Sequence, residues 1–223
     1  MLVEEVYALL RQYIDEPDLT MVNGTTDPVA MLKQGYRQFR ALVFKSAPEI
    51  YELTYSTTLS NTDTLSLNNI LLGATPTSTR AERITRVARV SSGKFSFFYN
   101  PVATLEQLYS SSDSWHANWL LQGTTLTFSE NVTGDLKVYY LPTDTVDWST
   151  GIVAGSNKFI DDLGEFHDLI ALLATRQYAI RDYAINPVIE EQIKIRTKEF
   201  VSFLTLGRNG DASRWVQAED QRW

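Results

Sequence analysis

The sequence predicts an α+β protein: a bundle of N-terminal and C-terminal helices, an inserted antiparallel β-rich module and an extended C-terminal tail. Apolar residues recur at helical spacing towards both ends of the chain, whereas alternating segments rich in Thr, Tyr and Phe fill the middle. The last 17 residues have no apolar periodicity. We therefore expect a helical core of residues 1–50 and 157–206, an inserted β module of residues 51–156 and a tail of residues 207–223.

Two helices are predicted near the N-terminus. The first covers residues 3–14 and ends before Pro17. The second is expected to follow the capping residue Asp27, to take Pro28 in its first turn and to end before Pro48. Its apolar residues recur in steps of three and four and should form one buried face: Val29, Leu32, Tyr36, Phe39 and Val43.

The middle of the chain changes to a period of two, which predicts strands. The predicted strand segments are 52–57, 64–67, 83–90, 95–99, 124–128 and 136–141. Turn-forming residues at 60–63 should separate the first two segments, and residues 91–94 should form a hairpin turn. Residues 130–135 should join the last two strands as a second hairpin. A helical turn or two is expected at 104–111.

The chain is expected to return to helix at Asp161 and Asp162, because carboxylates suit the N-terminus of a helix dipole. Its predicted buried face comprises Phe166, Leu169, Ile170, Leu173, Gln177 and Ile180. Asn186 and Pro187 then have the residue types of an N-cap and a first turn. They predict a final helix that ends at Gly207.

Composition narrows the classes of function. The chain has no cysteine, which excludes disulfides, thiolate nucleophiles and Cys-ligated metals. Its net charge of -7 argues against a dedicated nucleic-acid binder, because clustered basic residues supply most of such affinity. The N-terminal residues are acidic where a secretory signal is basic, and no apolar run approaches the roughly 20 residues of a membrane span. We therefore expect a soluble protein without a membrane partner.

The sequence contains no pattern typical of an active site. Neither His116 nor His167 belongs to a metal-ligand motif. Glu165, His167 and Asp168 are close in sequence, but on a helix they do not share one face. Residues 92–94 are similar to the end of a phosphate loop, yet a hairpin turn explains them better. We predict no enzymatic activity, no cofactor and no metal.

Charged residues in the β module are candidates for contacts between subunits. Arg83, Arg86 and Arg89 recur at spacing three, which alternates faces in a regular strand. The following region is acidic and includes Asp135 and Asp144. Surfaces of opposite sign on one subunit suit a head-to-tail ring contact. A solvated charge pattern is the main alternative, and arginines that face DNA are a third.

The C-terminal segment GRNGDASRWVQAEDQRW carries Trp215 and Trp223 in a polar background. Large aromatic side chains are favoured anchors in protein interfaces. This composition predicts a tail that docks on a neighbouring chain. The alternative is a frayed tail that packs one tryptophan on its own domain.

The order of these elements is similar to that of a known family. The segments RITRVARVSSGKFSFFYNPVATLEQLYSS, GTTLTFSENVTGDLKVYYLPTD and IDDLGEFHDLIALLATRQYAIRDY follow one another in the chain. In this order they resemble the head-to-tail adaptor (connector, or neck-ring) proteins of tailed bacteriophages. The resemblance covers most of residues 27–206 and rests on order and pattern, without a catalytic motif.

This resemblance implies a structural virion protein at the head–tail interface, assembled in the host cytoplasm. Its copies would form a ring, commonly of twelve, beneath the portal protein. The ring would extend the channel for double-stranded DNA, without sequence-specific binding, and would support a neck or tail protein. Arg214, Trp215 and Trp223 would anchor the tail to the portal.

A carbohydrate-binding or host-adhesion module of a virion is the alternative, because aromatic rings stack on sugars. The positions of Trp115, Trp119 and Trp148 distinguish the two hypotheses. A binder would present them on an open groove, whereas an adaptor would pack them in a core or an interface.

Overall fold

A computed structural model describes residues 1–14, 26–71, 80–91, 94–110, 117–153, 155–181 and 186–210, and its fold is α+β as predicted. The helices are α1 (Val3–Ile14), α2 (Thr26–Ser46), α3 (Asn68–Leu71), α4 (Leu105–Ser110), α5 (Trp148–Gly151), α6 (Asp168–Arg181) and α7 (Pro187–Gly210). The strands are β1 (Leu53–Ser66), β2 (Ala81–Ser91), β3 (Lys94–Pro101), β4 (Asn118–Gln122) and β5 (Thr125–Pro142). Short 3-10 helices occur at Pro48–Ile50 and Gly164–Phe166.

The chain divides into two compact units. We call them the helical unit, residues 1–50 and 146–223, and the β unit, residues 51–145. Residues 146–156, which were expected in the β module, therefore belong to the helical unit. The reason is the short helix α5, whose Trp148 is buried with its ring centroid 5.3 Å from that of Tyr36 in α2.

Helix α6 is the centre of the helical unit, where it contacts α1, α2 and α7. Every residue from Leu169 to Thr175 is buried. The expectation of a single buried face on this helix was therefore too narrow. Gly35 lets α2 approach α6 closely, since a Cβ at this position would lie 2.6 Å from the carbonyl oxygen of Ile170.

An aromatic cluster packs α7 against the rest of the helical unit. The rings of Phe39 and Phe200 are stacked with their centroids 4.5 Å apart, and Phe166 lies 4.9 Å from Phe200. Phe39 and Phe200 are completely buried. This packing stabilises α7 along a face that also includes Ile193 and Leu204.

The start of α6 differs from the prediction. The helix begins at Asp168, and Asp161 lies in the preceding segment. The Asp161 carboxylate accepts hydrogen bonds from the Tyr36 hydroxyl at 3.2 Å and from the backbone N–H of Leu163 at 2.9 Å. Asp161 therefore connects α2 to the loop that leads into α6, and it does not serve as the helix start.

The final helix agrees with its predicted start. The side chain of Asn186 accepts a hydrogen bond from the backbone N–H of Val188 at 2.9 Å, and α7 begins at Pro187. The helix continues to Gly210, beyond the predicted end at Gly207.

The first helix has the predicted bounds. The second helix, α2, begins at Thr26, so Asp27, which was expected to cap it from outside, is part of the helix.

The β unit is a small barrel-like sheet of five strands in the order β1-β5-β2-β3-β4. Strand β4 also pairs with β5, so that β2, β3, β4 and β5 form a closed ring. All pairings are antiparallel except the short one between β3 and β4. The predicted hairpin between β2 and β3 is confirmed, with Ser91 opposite Lys94.

Two predicted turns instead lie inside long strands. Residues 130–135, expected to form a hairpin, lie inside the single strand β5, and residues 60–63 lie inside β1. The register between β1 and β5 shifts after Leu59, and Asn61 has a positive φ of 51°. Such residues allow a bulge as readily as a turn. The two strands remain paired on either side of this irregularity.

Candidate functional site

Strand β2 brings two of the predicted arginines to one face of the sheet. Arg83 pairs with Leu141 of β5 and Arg86 pairs with Tyr139, while Thr85 between them is an extra residue. Because the β5 partners are two positions apart, the bulge places both arginines on the same face. The expectation that they alternate is therefore wrong for this pair. It holds for Arg89, whose partner in β5 is Leu136.

Arg86 is the centre of a cluster on the outer face of the β unit. Its guanidinium lies over the Tyr139 ring, 4.6 Å from the centroid, and 5.7 Å from the centroid of the Phe98 ring. It also forms an ion pair with Glu52. We call Glu52, Thr85, Arg86, Phe98 and Tyr139 the Arg86 cluster. Sequence reasoning identified the arginine but not the aromatic residues, because cross-strand register brings them together.

The carboxylate of Glu52 is the buried member of the Arg86 cluster. Its side chain is 6% exposed, and it accepts hydrogen bonds from both Arg86 and the Thr85 hydroxyl. Thr85 also donates to the backbone carbonyl of Tyr139 at 3.1 Å. The bulge residue thus has a defined role, since it positions the carboxylate that orients the guanidinium.

The accessible part of the cluster is aromatic and cationic. The Arg86 side chain is 48% exposed and Phe98 is 45% exposed. Burial raises the pKa of Tyr139, Arg86 opposes this effect, and Glu52 adds to it. An oriented guanidinium between aromatic rings is typical of residues that dominate protein–protein binding energy.

Two other charged residues predicted for subunit contacts, Arg89 and Asp135, form hydrogen bonds within the chain. Arg89 donates to the backbone carbonyl of Thr133 at 3.0 Å, and Asp135 accepts from the Thr58 hydroxyl at 2.7 Å. Asp135 is opposite Val90, next to Arg89 on the adjacent strand. Because Arg89 is opposite Leu136, the position after Asp135, the two charged side chains belong to opposite faces of the sheet, and a contact between subunits through them stays a prediction. Asp144 is half-buried beyond the end of β5.

A second exposed surface lies on α7 of the helical unit. Val188, Ile195 and Leu206 are 62%, 49% and 69% exposed. At 3.6 residues per turn they fall on one line along the helix, opposite the packed face. We call these three residues the α7 stripe. Polar residues such as Glu199 separate these three side chains along the helix, and we treat the line as a candidate surface for binding another protein.

The tryptophans that distinguish the two functional hypotheses are packed where the structure describes them. Trp119 is 6% exposed within the core of the β unit, and Trp148 is 1% exposed in the helical unit. Neither is on an open groove, so these two residues do not form the sugar-binding surface of the alternative hypothesis. Trp115 and the predicted tail anchors Arg214, Trp215 and Trp223 lie outside the described residues.

Among the described residues, His167 is packed inside the helical unit. His167 is completely buried, and its Nε2 is 2.5 Å from a carboxylate oxygen of Asp161. The Phe39 ring packs edge-on against the imidazole, 5.9 Å between centroids. His116 lies outside the described residues. No group of three potential metal ligands occurs within the described part of the chain.

Asp168, which is close to His167 in the sequence, binds Arg196 of α7. The guanidinium donates to both carboxylate oxygens at 2.7 Å and to the carbonyl of Glu165 at 2.9 Å. Hydrogen bonds to Asp168 and then to Glu199 raise the pKa of Arg196. This bidentate pair fastens α7 to the start of α6.

Comparison with known proteins gives no identification. A scan against protein-family models finds no match, and a search among curated proteins finds no match either. Within the described residues, none of the helices combines the length and the apolar character that crossing a membrane requires.

Proposed function

We propose that the chain is a structural protein of a tailed-bacteriophage particle, a head-to-tail adaptor that forms a ring beneath the portal protein. It extends the channel for DNA and provides a platform on which a neck or tail protein attaches. The proposal rests on the sequence resemblance, to which the structure adds support from exposed surfaces.

The structural observation that supports the proposal is that each unit has a separate exposed surface suited to protein binding. The helical unit exposes the α7 stripe, and the β unit exposes the Arg86 cluster. An adaptor must contact more than one neighbour at once. Two such surfaces on one chain meet that requirement, since each contains apolar or aromatic area that water solvates poorly.

The arrangement around Arg86 favours a contact with protein over one with DNA. A DNA phosphate is usually bound by an arginine that is free to present its fork of donors. Here the ion pair with Glu52 occupies part of that fork. An arginine that is paired with a carboxylate and does not bind phosphate is consistent with the adaptor role, because DNA must move through the channel without being bound.

The test is assembly with the cognate portal protein. The full chain is mixed with purified portal rings, the complexes are isolated by sedimentation, and the particles are imaged by electron microscopy. We expect a ring of this chain on one end of the portal. A chain that stays separate at micromolar concentrations of both proteins would refute the adaptor assignment.

Three variants resolve which surface is used. Deletion of residues 211–223 removes the predicted anchors and leaves α7 complete, so portal binding should fall at least tenfold. Ile195→Asp charges the α7 stripe, and Arg86→Ala removes the centre of the other surface. Lys198→Ala, an exposed position on α7, is the matched control. Unchanged binding after the deletion would remove the tail from the proposed interface.

A further inference from the structure

Strand β1 has a long edge that the described part of the chain leaves unpaired. In the strand order it stands at the end of the sheet, with β5 as its hydrogen-bonded neighbour. Its 14 residues contain neither proline nor lysine nor arginine, and Asp63 is their single charge. Proteins usually protect such an edge with charge, proline or a covering element, because free N–H and C=O groups attract other strands.

The part of this edge suited to pairing is residues 53–59. Over these seven residues β1 keeps a continuous register with β5, from Leu53 opposite Tyr140 to Leu59 opposite Gly134. After Leu59 the register shifts, and Asn61 has a positive φ of 51°. Residues 53 to 58 are exposed or half-buried.

The sequence of this segment is nearly the same in both directions. It reads LTYSTTL, with Ser56 at its centre. When two such strands run antiparallel with Ser56 opposite Ser56, each Leu53 lies opposite Leu59, and each Thr54 lies opposite Thr58. Tyr55 lies opposite Thr57. Apolar residues thus meet apolar residues, and threonines meet threonines, which are favourable cross-strand pairs.

The faces of the sheet also match in this register. Residues at odd positions of the segment pair with Leu136, Val138 and Tyr140, which are buried, so they belong to the inner face. The two-fold pairing sets odd positions opposite odd positions. Both inner faces and both outer faces are therefore continuous across the junction.

We propose that residues 53–59 form a two-fold antiparallel pairing between two copies of this chain, joining two β units into one sheet. The occupant of the edge is thus a second β1. This contact closes on itself and removes both free edges at once, so it does not continue into a fibre. It is additional to the proposed ring and uses neither the α7 stripe nor the tail, so it stands or falls independently of the adaptor function.

Cross-linking in a chain that has no natural cysteine tests the pairing. Ser56→Cys places one thiol from each copy at the two-fold axis, where a short bis-maleimide reagent should link most of the chains into covalent dimers. Thr64→Cys is the matched control, exposed on the same strand. It is eight residues from the axis, about 26 Å along a strand, so it should give at least tenfold less dimer.

A mixing experiment tests the register, and sedimentation tests the association itself. Differently tagged Thr54→Cys and Thr58→Cys chains should link to each other several-fold more than each links to itself. The unmodified full chain should sediment as a dimer that dissociates on dilution. A monomer at all concentrations up to 100 µM, on the order of a weak interface's dissociation constant, would overturn the proposal. So would equal linking at positions 56 and 64.

Discussion

The helical unit and the β unit bury their apolar residues in different ways. In the helical unit, α6 is enclosed by other helices, and all its residues from Leu169 to Thr175 are buried. In the β unit, burial alternates along most of β5, because one face of the sheet packs inwards and the other remains accessible. The helical unit thus depends on one enclosed helix, whereas the β unit can present side chains such as Arg86 without losing its core.

The largest effect should come from the aromatic cluster of the helical unit. Phe200→Ala removes a completely buried ring that stacks on Phe39 and contacts Phe166. The free energy of unfolding should fall by about 3–5 kcal/mol, as measured by urea denaturation. Phe203→Ala is the control, because this ring is 37% exposed, and its loss should cost about 1 kcal/mol. Equal losses would show that the cluster is not the centre of stability.

A smaller effect is expected where α2 meets α6. Gly35→Ala would set a methyl group 2.6 Å from the backbone oxygen of Ile170 and 3.0 Å from the backbone nitrogen of Ala174. Backbone atoms cannot turn away, so the helices must separate at a cost of about 1–3 kcal/mol. Thermal unfolding measures this. Gln34→Ala, exposed on the same helix, should change stability by less than about 0.5 kcal/mol.

The outer face of the β unit should tolerate changes better than either core. Glu52→Gln removes the charge that pairs with Arg86, and the expected loss of stability is about 1 kcal/mol, since the guanidinium is half exposed. A double-mutant cycle with Arg86→Ala isolates the coupling between the two side chains. If the cycle gives no coupling energy, the aromatic rings alone hold the arginine.

Alkaline pH should act on the β unit through Tyr99. Burial raises the pKa of this tyrosine to about 12, with Glu130 as a smaller cause and Arg89 opposing it. A tyrosine whose pKa is higher in the folded state stabilises the fold below its unfolded pKa of about 10. That contribution is lost as the pH rises towards 12. Tyr99→Phe should flatten the decline in stability between these values, and an unchanged decline would contradict the assignment.

Acid pH should act on the helical unit through Asp147, with the smallest effect. Hydrogen bonds from Thr150 and then Ser149 lower the pKa of this N-capping carboxylate to about 2. Its stabilising effect is present above the unfolded value of 3.8 and is lost as the pH falls towards 2. An NMR titration of the side chain should show the low midpoint. A midpoint near 4 would mean that the cap is not formed in solution.

Local sequence patterns predict most of the helices and strands. They fail where contacts between residues distant in sequence determine the structure. The sequence predicts the period of α1 and the N-cap at Asn186 correctly, because both signals come from residues close together in the chain. The turn residues at 60–63 and 130–135 were read as turns, although pairing between β1 and β5 keeps both strands continuous. Burial around α6 was likewise underestimated, since it depends on three other helices.

The candidate site shows the same limit. Arg86 was identified from charge spacing, but the face on which it lies depends on the bulge at Thr85, and its aromatic neighbours come from two other strands. Glu52 was not identified, because nothing near it in the sequence marks its partner.

The length of β5 has a consequence for the order of folding. This strand pairs with β1, β2 and β4, so it takes part in three of the five strand pairings described in its unit. During translation β1 is synthesised first and β5 last among the strands of this unit. Strand β1 therefore cannot pair with β5 until almost the entire unit has been synthesised. Pairing of such distant segments is intrinsically slow. The nascent chain therefore passes through a period in which β1 is bare on both edges, and chaperone occupancy should peak then.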